Sequence, residues 1–99
     1  MIGFPAQSVP FEQFCEHVEK NLCRLGQLEP GQFPLTQRAV SRGGKSCGIY
    51  FCLHGPRSVK LTAVYDQTSQ TTIYYGVDGV RRDQEKVSVQ LPSPQRHSA

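Results

Sequence analysis

Ninety-nine residues, 37% hydrophobic and 19% charged, fit one domain with a single modest core and fall outside the composition of a disordered chain. No run approaches the ~20 apolar residues of a membrane helix, and the opening MIGFPAQSVP lacks the basic start and long apolar centre of a secretory signal. The net charge of +3 is unevenly placed: residues 1–36 hold two bases against four acids, a net of −2, and residues 37–99 hold nine bases against four acids, a net of +5. This pattern predicts a soluble, cytoplasmic protein without membrane contact, its helical end acidic and its sheet end basic. A basic side of this kind suits a polyanion.

In chain order, residues 1–7 read as a flexible arm. Ser8 is placed to cap a helix, Pro10 is tolerated in its first turn, and Glu12 suits the positive end of its dipole. Phe11, Phe14, Cys15, Val18, Leu22 and Leu25 recur at helical spacing and predict one amphipathic helix over about 10–25. Gly26 sits where a left-handed residue would end it. Residues 27–35, with Pro30-Gly31 and Pro34, read as a connecting loop. A short strand over 37–40 and a flexible basic loop over 41–46 follow.

The stretch from Cys47 to Val77 organises the rest. It predicts three antiparallel strands, about 47–53, 59–65 and 71–77. With odd loop lengths, Leu53 pairs with Val59 and Tyr65 with Thr71. The odd residues then form one apolar face: Ile49, Phe51, Leu61, Ala63, Tyr65, Ile73 and Tyr75 among them. Ala63, small and central, leaves room for the helical stripe to dock. Asp78-Gly79 signals a hairpin turn, Val80–Arg82 a return beside the preceding strand, and residues 86–91 a possible edge strand. Residues 92–99 read as a disordered tail. The expected fold is therefore α+β: one N-terminal helix on one face of a three- to five-stranded antiparallel meander, a single domain over 8–91.

The even residues form the opposite, open face. In the predicted register Tyr50, Thr62 and Tyr74 make one row across it, with Lys60 beside them. Loops carrying Arg42, Lys45, Arg57, Arg81 and Arg82 rim it. Exposed aromatics stack on bases and basic rims hold phosphates, so these nine residues are the candidate nucleic-acid contacts. Tyrosine and threonine are also ordinary residues of an exposed sheet, where cross-strand pairs stabilise it.

Catalytic chemistry finds little support. Gly43-Gly44-Lys45-Ser46 has the end of a phosphate-binding loop, but Ala39 stands where the pattern needs glycine, and a strand follows instead of a helix. Cys15, Cys23, Cys47 and Cys52 lack zinc-ligand spacing. Cys15 and His17 share an amphipathic helix with the histidine facing elsewhere, and Cys52 with His54 lacks an orienting acid for nucleophilic work. The expectation is a small non-enzymatic nucleic-acid-binding protein, DNA ahead of RNA, with no cofactor, metal or catalytic residue. The alternative is a protein-interaction or self-associating module, including a homodimer, with the open face as its interface.

Overall fold

The structure, a computed structural model, describes residues 8–90. The arm over 1–7, the tail over 92–99 and Leu91 lie outside the described residues. Helix α1 runs Phe11–Gly26 and buries Phe14, Val18, Leu22 and Cys23, the stripe that its 3.6-residue period marks. Ser8 is not its cap. Pro10 takes that position with no side-chain hydrogen bond, because Val9–Pro10 forms a two-residue strand, β1, and the Ser8 hydroxyl meets that of Ser88 at 2.9 Å. At the other end Gln27, not Gly26, is left-handed, at φ 56°. Gly26 is instead a point of close approach: a Cβ there would lie 2.9 Å from Leu61 Cδ1.

Five antiparallel strands follow in a meander: β2 (Leu35–Arg42), β3 (Lys45–His54), β4 (Lys60–Asp66), β5 (Thr71–Tyr75) and β6 (Arg81–Lys86). This is the expected α+β architecture at its upper strand count. Strand β2 is longer than 37–40, and the basic loop over 41–46 is no loop. Ser41, Arg42 and Lys45 are in the ladder, joined by a tight turn in which Gly43 and Gly44 take φ of 60° and 83°. Positive φ at both central residues matches the twist of a hairpin. Residue Val87 ends β6 by burying its side chain, and Val89–Gln90 forms β7, which pairs in parallel with β1. The edge strand read over 86–91 is thus only this short pairing.

Both predicted registers need correction. Strands β3 and β4 pair Leu53 with Leu61 rather than Val59. A 3-10 turn over Pro56–Ser58, closed by the Gly55 N–H on the Val59 carbonyl (2.8 Å), keeps Val59 in the loop. This shift of two preserves the faces. Strands β4 and β5 pair Asp66 with Thr71 and Ala63 with Tyr74, a slip of one. The loop over residues 67–70 is even. The Thr68 N–H donates to Asp66 Oδ1 at 3.0 Å, and Gln70 closes the loop at φ 55°. A one-residue slip exchanges every side chain between faces. Thr72 and Tyr74 therefore point at the helix, while Ile73 and Tyr75 point away.

The core lies between α1 and the near face of the sheet. Phe14 meets Phe51 edge-on at 5.7 Å between centroids and Tyr65 at 5.2 Å. Val18 and Leu22 join Leu53, Leu61, Ala63 and Tyr74 in the same cluster. At about 25 cal/mol per Å² of apolar surface, these aromatic and branched side chains dominate the stabilising term. No described element covers the other face of the sheet.

Candidate nucleic-acid interface

Folding concentrates charge that the sequence leaves dispersed. Between Glu29 and Asp66 the chain contains no acidic residue and five bases: Arg38, Arg42, Lys45, Arg57 and Lys60. That acid-free stretch becomes β2, β3 and most of β4. Among the described residues the ion pairs are His17–Glu85, Arg24–Asp83 and Arg82–Asp78. None involves the five bases. The acids sit on α1 and toward β6, so the domain is polarised across its sheet.

The open face is organised in two central rows. One runs Arg38, Tyr50, Val64, Ile73 and Gln84, the other Thr36, Cys52, Thr62, Tyr75 and Arg81. The Arg38 guanidinium lies over the Tyr50 ring, 5.4 Å from its centroid, within cation–π range. Thr36 Oγ1 is 2.9 Å from His54 Nε2 and donates to the Cys52 carbonyl at 3.4 Å. Lys60 stands across from His54. A shallow, half-open cavity of about 420 Å³ lies here, lined by Thr36, Gln37, Arg38, Tyr50, Cys52, His54 and Lys60.

Of the nine candidate residues, Tyr50, Lys60 and Thr62 share the open face as expected. Tyr74 does not: it is 0% exposed and belongs to the core. Its hydroxyl donates to Glu85 Oε2 at 2.8 Å and accepts from Asn21 Nδ2 at 3.2 Å. Burial there pushes the phenol well above its usual range. Tyr75 takes its place outward, so the face keeps two tyrosines in a different arrangement. Arg57 is exposed in the turn before β4, with Arg57 and Ser58 both left-handed at φ 58° and 64°. Few non-glycine residues adopt that backbone, and it carries strain. Arg81 flanks the same end, its Nη1 on Gln84 Oε1 at 3.3 Å. Arg82 is tied to Asp78 at 2.6 Å, which leaves its charge locally balanced. Arg42 and Lys45 lie at the far end of β3. Ten residues at about 3.3 Å each set the two ends about 30 Å apart. The nine therefore divide into separate clusters rather than one rim.

Sequence reasoning passed over Thr36, Arg38, His54 and Tyr75. Two signals bear on the first three, and none on Tyr75, whose outward place depends on the β4–β5 register. One is the acid-free stretch itself; the other is the alternation Leu35, Gln37, Ala39 against Thr36, Arg38, Val40. The four cysteines are free thiols. Cys15 donates to Gln37 Oε1 at 3.4 Å, and burial, with Glu12 nearby, pushes its thiol up to about 11, away from nucleophilic use. No cluster of three metal-ligating side chains occurs among the described residues, and no helix there is long and apolar enough to cross a membrane.

No protein-family model matches the chain, and no solved structure does. Among curated proteins, the Caenorhabditis elegans protein named "Putative ATP-dependent RNA helicase rha-2" is 35% identical over 68 residues, 68% of this chain. The chain spans 6% of that protein's length.

Proposed function

We propose that this domain is a non-enzymatic module that contacts nucleic acid, RNA ahead of DNA, through the basic half of its open sheet face. The observation that carries the reading is the acid-free segment from β2 to β4, whose five bases make no ion pair with any described residue. Of these, Arg38 and Lys60 stand on the face that holds Tyr50 and Tyr75, where unpaired cations suit a phosphate backbone with bases against the rings. The resemblance of a short segment to a protein named as an RNA helicase favours RNA over the DNA that the sequence first suggested. A small part of a large nucleic-acid enzyme is also a natural place for a binding module without chemistry of its own.

The test is fluorescence anisotropy with labelled RNA and DNA across a salt series. Binding is expected at low salt and weakens steeply as salt rises. Arg38→Glu with Lys60→Glu should weaken it at least about tenfold, since two phosphate contacts become repulsive. Both side chains are exposed, so the melting temperature should hold. Absence of binding by the wild-type protein at about 100 μM, the weak end of non-specific affinity, sinks the proposal.

A second reading rests on the other half of the face. Val64, Ile73 and Tyr75 are half-buried there with no described element above them, and Val77 and Val80 are 61% and 51% exposed. That apolar side suits a protein partner or a second copy, which light scattering would reveal as a dimer.

A further inference from the structure

We infer that the cavity between Arg38, Tyr50, His54 and Lys60 is a subsite for one unstacked base of a single-stranded nucleic acid, so that the domain selects single strands over duplex. The inference rests on the nucleic-acid reading above and names the form of its ligand. The cavity's volume of about 420 Å³ is within the range of small-ligand sites, roughly 300–1,000 Å³. Its recognition surfaces are flat faces. The Arg38 guanidinium lies over the Tyr50 ring, 5.4 Å from its centroid, and the two flat groups together form a ledge at the edge of the sheet. A base stacks on such a ledge, as bases do on arginine planes and aromatic rings.

Polar groups are placed around that ledge in two kinds. Thr36 Oγ1 and His54 Nε2, 2.9 Å apart, place polar atoms on one wall. Lys60, exposed and without an ion-pair partner among the described residues, stands opposite His54 at the rim. Arg57 follows in the adjoining turn. A base on the ledge places its flanking phosphate toward this rim. In a duplex each base is covered on both faces by its neighbours, and only its edges reach a groove. A pocket that reads a face rather than an edge is closed to paired bases. The other basic pair, Arg42 and Lys45, lies too far along β3 to serve the same nucleotide.

Anisotropy with fluorescein-labelled oligouridylate and with a blunt RNA duplex tests this. The single strand is expected to bind at least about tenfold more tightly. Arg38→Lys keeps the charge and removes the plane; Tyr50→Leu removes the ring. Each should cost the single strand about tenfold, the value of one stacked base, and weaken duplex binding far less. Lys60→Gln should weaken both ligands and flatten the salt dependence by about one phosphate contact. Equal affinity for the two RNAs, or single-strand binding indifferent to Arg38→Lys and Tyr50→Leu, overturns the subsite while nucleic-acid binding stands. Failure of the wild-type protein to bind either RNA overturns both. Arg38 is exposed on an edge strand, so its variant keeps the test valid if Tyr50→Leu folds poorly.

Discussion

Thr72 and Tyr74 show how much one residue of register decides. Both are 0% exposed. Tyr74 carries its hydroxyl to Glu85 and Asn21, whereas Thr72 Oγ1 has no hydrogen-bond partner among the described residues. An unpaired buried hydroxyl costs about 1–3 kcal/mol, and an apolar group of the same shape removes that penalty. Thr72→Val is therefore expected to stabilise the domain by about 1 kcal/mol, a rise of about 5 °C in melting temperature. Calorimetry or thermal circular dichroism measures it, and a fall in melting temperature would show that the hydroxyl is satisfied. The segment Thr71-Thr72-Ile73-Tyr74-Tyr75 explains why its register was illegible. Two doublets flank one isoleucine, so a one-residue slip leaves a threonine and a tyrosine on each face. Hydrophobic alternation hardly distinguishes the two states. The choice falls to the four-residue loop that Asp66 caps.

At the scale of elements, α1 is fastened to the sheet twice, by its apolar stripe and by a polar clasp. His17 Nε2 donates to Glu85 Oε2 at 2.6 Å, and the same oxygen receives the Tyr74 hydroxyl. Burial alone would raise the Glu85 carboxyl, but these two hydrogen bonds, together with the electrostatic pull of His17 and Arg24, outweigh it and the net shift is downward. A carboxyl whose folded pKa lies below its unfolded value contributes stability above the unfolded value, about 4.3 for glutamate, and loses it as pH falls through the folded one. Urea unfolding between neutral pH and about pH 3 should show the wild type losing more stability on acidification than Glu85→Gln. Parallel losses would mean the clasp contributes nothing. The stripe was legible because Phe14, Val18 and Leu22 repeat with the helix period. The clasp was not, since it joins residues 68 positions apart whose meeting depends on the β4–β5 slip. Strand β2 was under-read for a related reason: Gly43-Gly44 looks like slack chain until its positive φ values are seen to make a tight hairpin.

For the whole molecule, polarity and connectivity both follow from the order of the strands. The meander keeps the acid-free segment together on one side, and so converts a run in sequence into a surface. Connectivity enters through the pairing of β1 with β7. Val9 donates to the Ser88 carbonyl at 2.8 Å and stands beside Val89, so the two ends of the described chain touch. In effect the backbone is a ring with one seam. A few glycine and serine residues should suffice to bridge Ser8 and Gln90, and the ring can then be reopened at Gly43-Gly44, where nothing lies within 4 Å of a Cβ built on either glycine. Such a rearranged chain is expected to give the same circular dichroism spectrum and to melt within a few degrees of the original. Loss of cooperative melting would show that the β2–β3 hairpin must form as a continuous unit. The seam also means that a tether at one end is geometrically almost a tether at the other.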